Sequence, residues 1–236
     1  MNPILPRTRR AAAAPSLSRV PRTRTGFAPQ GLLALALLSG SILLAQNPRD
    51  PFTKWVSIFN GKDLAGWVKV GKEKWEVKDG IIYGSGITDQ YGYLRTEKRY
   101  SDFHLAVKFK CLGDGNSGVY FRSDFEPGSV KLSQGLQVEI DRRMGYHTGG
   151  IHGVGRSWVA WPALENEAVL RPYDWNELIV KIESNRYWVR LNGVVVMDFT
   201  DPKPLSLEGH ISLQLHSGGL GNMMFKDIFI RDLSKK

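Results

Sequence analysis

The chain has 236 residues, of which 42% are hydrophobic, 11% aromatic and 23% charged, a composition typical of a folded globular protein and not of a disordered or collagen-like one. Its formal charge of +9 is concentrated in the first 50 residues, which hold seven arginines and one acid, so the remaining chain is nearly neutral and gives little support to a nucleic-acid partner. The single cysteine, Cys111, excludes an intrachain disulfide and a cysteine-based zinc cluster.

The first predicted element is an export signal. Residues 1–31 contain no acidic side chain and lead into an apolar run from Leu32 to Leu44. This order is typical of a secretory signal peptide, and the run is shorter than the roughly 20 apolar residues that a membrane-spanning helix needs. An organellar transit peptide, which is also rich in arginine, is the alternative. We therefore predict a leader over residues 1–45, a short linker over 46–54, and a periplasmic or extracellular protein without a stable membrane span after processing.

The rest of the chain, residues 55–233, shows a period of two and is predicted to form one domain. In Phe103–Cys111 every odd position is apolar, which indicates a strand with one buried face. The pair Asn192-Gly193 between two such segments is the strongest hairpin signal. No long segment has a period of 3.6, so the sequence predicts an all-β protein, a two-sheet antiparallel β-sandwich or jelly roll. Residues 156–173 fit no strand and predict a long loop beside a ligand site.

Three predicted strands carry unusual polar faces. Their polar sets contain amides, carboxylates and imidazoles but no lysine. Such a face is either the solvated side of an antiparallel sheet or a groove that binds polyhydroxylated ligands, with aromatic rings to stack on sugars. The residues concerned are Tyr120 and Arg122 on the first strand, Gln137, Glu139 and Asp141 on the second, and His210, Ser212, Gln214 and His216 on the third.

The pair Glu139 and Asp141 resembles part of the Glu-x-Asp-x-x-Glu strand of the laminarinase-type glycosidases. The chain continues with Arg142 and Arg143 and never supplies the second glutamate, so retaining hydrolysis is disfavoured. His147 and His152 match no compact metal motif. We predict no metal site and no cofactor, and leave open calcium or another divalent cation held by aspartates and backbone carbonyls.

Taken in order, nine motifs resemble a bacterial family known as the 3-keto-disaccharide hydrolase domain, formerly a domain of unknown function. The resemblance runs from about Trp55 to Leu233 and implies a concanavalin A-like or laminin G-like sandwich. One departure follows Thr148-Gly149, where the family commonly has a small residue and then Leu-Tyr or Ile-Tyr, whereas this chain has Gly150-Ile151-His152. The motifs are Ile58–Trp67, Trp75–Gly80, Asp102-Phe103, Asn116–Arg122, Gln137–Asp141, Thr148-Gly149, Trp175-Asn176, Leu191–Gly193 and Leu213–His216.

The resemblance implies an exported enzyme whose carbohydrate substrate is an oxidised glycoside. A ketone at C3 acidifies the C2 hydrogen, so a base removes it, the C1 aglycone leaves by elimination and water adds to the enone. This route needs one base, a stabiliser for the enolate oxygen and a proton donor. The candidates are Glu139 or His216 as base, Arg122 or Gln137 for the oxyanion, and Asp141 or His152 as donor, with Tyr120, Gln137, Gln214, His152 and Trp161 as substrate contacts.

Two further expectations accompany these assignments. The polar residues should converge on one concave face, and Arg122 or a histidine should lie near Glu139 and keep it ionised. The alternative function is a non-catalytic carbohydrate-binding or laminin G-like module, because similar sandwich faces bind sugars without turning them over.

Overall fold

The computed structural model describes residues 55–88, 91–113, 116–127, 135–153, 155–204, 206–216 and 219–234. The predicted leader and linker lie outside these residues. Within them, one helical turn, α1 (Leu164–Glu167), accompanies the strands, and no helix is long and apolar enough to cross a membrane. The strands are β1 (Val56–Ser57), β2 (Trp67–Val70), β3 (Lys74–Lys78), β4 (Ile81–Thr88), β5 (Gly92–Tyr100), β6 (Phe103–Cys111), β7 (Ser117–Ser123), β8 (Leu136–Ile140), β9 (Ile151–Gly153), β10 (Ser157–Ala160), β11 (Asn176–Glu183), β12 (Arg186–Leu191), β13 (Val194–Thr200), β14 (Gly209–Leu215) and β15 (Gly219–Asp232).

The strands form two antiparallel sheets. The eight-stranded sheet has the order β13-β12-β11-β6-β15-β4-β3, with β1 paired to β15. The seven-stranded sheet has the order β10-β9-β8-β7-β14-β5-β2. Many neighbours in these sheets are distant in sequence, so residues from separate parts of the chain meet on one face.

The core lies between the two sheets and follows the period of two. In β6 and β11 every second residue is buried, as the alternation predicts. Val138 of β8 and Leu213 of β14 belong to the same core cluster from the other sheet. The predicted two-sheet sandwich is therefore confirmed. Cys111 is part of this core, and burial raises the pKa of its thiol to about 12, which fits a small apolar side chain.

One predicted connection, the Asn192-Gly193 hairpin, is explained by its turn residues, and another, the long loop over residues 156–173, differs from the prediction. Asn192 and Gly193 join β12 to β13 with φ values of 47° and 90°, the left-handed conformations that a tight two-residue hairpin turn requires. The long loop predicted over residues 156–173 is instead interrupted by β10 and α1. Only four residues form each of these elements, which is too short to show a clear period in the sequence.

Candidate functional site

The face of the seven-stranded sheet opposite the core carries two adjacent rows of side chains. We call it the site face. In one row, cross-strand pairing places Tyr93 beside Gln214, and Gly118 beside Glu139. The two rows are two residues apart along each strand, which corresponds to about 7 Å. The second row runs across six strands through Arg95, Ser212, Tyr120, Gln137, His152 and Trp158.

Most of the site face is buried. Glu139 is 4% exposed, Gln137 3% and Gln214 0%. Phe125 covers part of the face, with its ring centroid 3.6 Å from that of Tyr93. Burial of this extent excludes the alternative in which these residues form the solvated side of a sheet. His152, half-exposed, lies at the edge of the face.

Amides surround the carboxyl group of Glu139. Gln137 Nε2 donates a hydrogen bond to Oε2, and Asn116 Nδ2 donates to Oε1 at 3.0 Å. No lysine or arginine among the described residues forms an ion pair with this carboxyl group. Gly118 makes the arrangement sterically feasible, because a Cβ there would lie 2.8 Å from Gln137 Oε1. The glycine therefore leaves room for the Gln137 amide to lean toward Glu139.

A second carboxylate, Asp141, lies beside the first. Asn116 Nδ2 also contacts Asp141 Oδ2 at 3.3 Å. Arg143 holds this carboxylate through its backbone nitrogen, Nε and NH2 at 2.7–3.0 Å. Burial, followed by the charge of Asp141, raises the pKa of Glu139 to about 8, although its two amide hydrogen bonds act in the opposite direction. Glu139 is therefore mostly protonated at pH 7, contrary to the expectation of an ionised carboxylate.

Two imidazoles border the site face. Burial, followed by the charge of His216, lowers the pKa of His152, so its ring is neutral at pH 7 and has a nitrogen lone pair. The ring of His216 packs edge-on against Tyr91, with centroids 5.1 Å apart. His152 lies on β9 and His216 directly follows β14, three strands away in the sheet order, yet the two rings are close enough to interact electrostatically.

Unsatisfied polar atoms concentrate on the site face. Eleven buried side-chain nitrogen or oxygen atoms of the described residues have no hydrogen-bond partner. Burying such a group without a partner costs about 1–3 kcal/mol, so a concentration of them favours a ligand with many hydroxyls. On the site face they include Arg95 Nε, Asn116 Oδ1, Gln137 Oε1 and His152 Nδ1, while the Tyr93 hydroxyl and the Gln214 amide lie close to each other and to Tyr120.

The structure corrects the position of Arg122. The β7–β14 pairing shifts register between His210 and Ser212, and Arg122 adopts a φ of +52° at this irregularity. Its guanidinium, buried away from the site, donates to Asp102 Oδ1 at 3.0 Å and to the carbonyl of Ser101 at 3.2 Å. Arg122 also follows Gly118 by four residues, about 13 Å along a strand. The predicted convergence of Arg122 with Glu139 is therefore wrong.

Trp161 also lies outside the two rows. It is 56% exposed and its ring centroid is 5.8 Å from that of His147. Sequence reasoning missed Tyr93, Asn116 and Phe125 as site residues. Asn116 directly precedes the Ser117-Gly118 motif, which was the available signal for it. Among the described residues, no three His, Cys, Asp or Glu side chains group closely enough to hold a metal ion.

Comparison with known proteins identifies relatives of this chain. The sequence model of the 3-keto-alpha-glucoside-1,2-lyase-like domain matches residues 54–231. A 3-keto-disaccharide hydrolase of Bacteroides thetaiotaomicron is 32% identical over 77 residues, which span 28% of this chain and 27% of that protein.

Solved structures show the same fold. A candidate glycosyl hydrolase of Parabacteroides distasonis has a TM-score of 0.60 and 24% identity, over 76% of this chain and 94% of that one. Carbohydrate-binding module CBM66 of Bacillus subtilis has a TM-score of 0.51 and 18% identity, over 71% and 96% of the two chains. At these identities the likeness concerns the fold alone.

Proposed function

Because this chain belongs to the 3-keto-alpha-glucoside-1,2-lyase-like family, we propose that it cleaves 3-keto-glycosides, including 3-keto-disaccharides. A base removes the C2 proton, and the electron pair of the broken C–H bond forms an enolate with the C3 oxygen. When the C3 carbonyl re-forms, a C1–C2 double bond appears and the bond from C1 to the aglycone oxygen breaks. The aglycone takes up a proton, and water then adds its hydroxyl to C1 and its hydrogen to C2. The net reaction is hydrolysis.

The observation that carries this proposal is the buried carboxyl group of Glu139, which accepts hydrogen bonds from the Asn116 and Gln137 amides and lies among unpartnered polar atoms. Burial raises the pKa of Tyr93 as well, so its phenol keeps its proton. A protonated carboxylic acid and a phenol are hydrogen-bond donors suited to an oxygen that becomes negative in the transition state. We propose that Glu139 stabilises the enolate oxygen by donating a hydrogen bond to it, and that Tyr93 and the Gln137 amide assist. Glu139 thus takes the role that the sequence analysis gave to Arg122.

The histidines at the border of the site face supply the base. His152 is neutral at pH 7 and has a buried nitrogen without a partner, so we assign it as the base that removes the C2 proton. His216, which lies close enough to lower the pKa of His152, is assigned as the donor of a proton to the departing aglycone oxygen. Asp141 is not assigned proton transfer, because Arg143 occupies its carboxylate; its charge instead adds to the effect of burial, which is the main reason that Glu139 keeps its proton.

The decisive experiment is incubation with a 3-keto-glucoside while aglycone release is followed across pH. We expect release from the keto-glucoside and none from the unoxidised glucoside. We expect kcat/KM to fall on the acid side as His152 protonates, at a pH below the ordinary histidine value because its pKa is lowered, and to fall above about pH 8 as Glu139 loses its proton. A rate that instead rises through pH 8 to a plateau would make Glu139 the base, which is one of the two alternatives, Glu139 or His216, that the sequence left open.

A carbohydrate-binding module is the second candidate, because CBM66 shares the fold. The two functions differ in turnover. If the purified protein binds glycosides but releases no aglycone from any of several 3-keto-glycosides, the module is the correct assignment. A binding module would leave the 3-keto-glycoside intact even after a long incubation.

We propose that the chain is exported after removal of residues 1–45. N-terminal sequencing of protein from the exported fraction should begin near Gln46. A mature chain that still begins at Met1 would contradict processing.

A further inference from the structure

A second surface lies next to the site face, where the turn after β8 meets the segment around α1. His147 packs against Trp161, and an added Cβ at Gly145 would lie 3.9 Å from Leu164 Cδ1, so the two segments are in contact. Trp161 and Leu164 are 56% and 57% exposed. Exposed apolar side chains that gather beside a polar site are typical of a binding surface.

A buried carboxylate holds this surface in place. Glu167, the last residue of α1, is 1% exposed. Its Oε2 accepts hydrogen bonds from the backbone nitrogens of Gly145 at 2.7 Å and His147 at 3.2 Å, and its Oε1 lies 3.0 Å from His147 Nδ1. A buried carboxylate is tolerated because all of these partners satisfy it. It thereby fixes the turn and the orientation of the His147 ring.

Trp158 connects this surface to the site face. It is the cross-strand partner of His152, and their rings meet edge-on with centroids 5.4 Å apart. The same indole meets His147 edge-on at 4.8 Å. Aromatic and imidazole rings therefore continue without interruption from the assigned base, His152, out to the exposed Trp161.

We propose that Trp158, His147 and Trp161 form the subsite for the leaving group, and that it takes a ring with an apolar face. This inference rests on the proposed function. The second sugar of a disaccharide and an aryl aglycone both present such a ring, and either stacks on an indole. His147 contributes a polar edge beside the indoles, and Glu167 is a positioning residue that acts through it.

The test compares three substrates in the Trp161→Ala variant: methyl 3-keto-glucoside, phenyl 3-keto-glucoside and a 3-keto-disaccharide. We expect KM to rise about tenfold for the phenyl substrate, the disaccharide or both, since loss of one stacking contact has about this effect. The methyl substrate should be unaffected, and the substrate that responds identifies the ring. Trp188→Ala is the matched control, because Trp188 lies under Lys181 on the outer face of the other sheet. An equal change for all three substrates overturns the subsite.

Two further measurements separate this subsite from the proposed function. Glu167→Gln should show the same dependence on the leaving group while turnover of methyl 3-keto-glucoside stays unchanged, which a general loss of structure would not produce. Calorimetric titration with unoxidised methyl glucoside, phenyl glucoside and a disaccharide needs no turnover. If the phenyl glucoside or the disaccharide binds more tightly than the methyl glucoside, and Trp161→Ala abolishes the difference, the subsite is supported even if no keto-glycoside is cleaved. Equal binding of all three glycosides, or binding of none, overturns it.

Discussion

The outer face of the eight-stranded sheet and the site face of the seven-stranded sheet arise from the same alternation in sequence but differ in chemistry. On the outer face, Lys108 pairs with Asp227 at 2.8 Å and Arg186 with Asp198 at 2.7 Å, all with at least 42% side-chain exposure. On the site face, Glu139 is buried among amides and phenols. Polar residues of a sheet thus form ion pairs in solvent on one side of the molecule, whereas on the other side they are buried and several of their polar atoms have no partner.

The two faces also shift carboxyl groups in opposite directions. Hydrogen bonding to Arg186 lowers the pKa of Asp198, whereas burial raises the pKa of Glu139. A guanidinium partner stabilises the charged form of an exposed carboxylate, whereas burial without a cation stabilises the protonated form. Residue type gave an early indication of this difference, because the site strands carry amides and imidazoles where the outer strands carry lysine.

The largest expected effect separates the two faces by activity. Glu139→Met approximates the shape but removes the O–H donor, so kcat should fall about 10²–10³-fold, the usual cost of losing an oxyanion donor, whereas the neutral amide of Glu139→Gln keeps a donor and should lose much less. Glu177→Met, on the outer face beside Arg190, is the matched control and should retain wild-type kinetics. Near-normal turnover of Glu139→Met on a 3-keto-glucoside would remove Glu139 from the chemistry.

The pH dependence of stability offers a second comparison. Folded Glu139 keeps its proton up to about pH 8, while the unfolded chain releases it near the ordinary value of 4.5. The folded state therefore binds more protons between these values, and its stability falls as pH rises through them. Glu139→Gln should gain several degrees of melting temperature relative to wild type between pH 5 and pH 8. A difference that stays constant with pH would show that Glu139 is ionised in the folded protein.

Arg122 tests whether the corrected placement is right. Arg122→Gln removes charge-assisted hydrogen bonds to Asp102 and to backbone carbonyls, so chemical denaturation should show a loss of about 1–3 kcal/mol in unfolding free energy. Because Arg122 does not contact the site face, kcat/KM of the folded variant should equal that of wild type. Arg186→Gln, which removes an exposed pair, should change stability little. A large loss of kcat/KM with unchanged stability would return Arg122 to the catalytic site.

Several features of the site could be predicted from the sequence because they are local. A strand turns successive side chains to opposite faces, so Gln137 and Glu139 had to share one face, and Val138 the other. The same rule placed Gln214 opposite the core. The hairpin at Asn192-Gly193 followed from residues that tolerate a positive φ. Each of these conclusions depends on a few neighbouring residues only.

Tertiary structure decided what depends on distant parts of the chain. Cross-strand register brought Tyr93 of β5 and Gln214 of β14 together, and nothing near either residue in sequence specifies that pairing. A register shift between β7 and β14 turned Arg122 away from the face that its position in the strand predicted. Burial then determined the protonation state of Glu139. The sequence determined which side chains face the same way, because alternation is a property of each strand; only the packed sheets decided which of them meet and whether they are charged, because register and desolvation arise from contacts between strands.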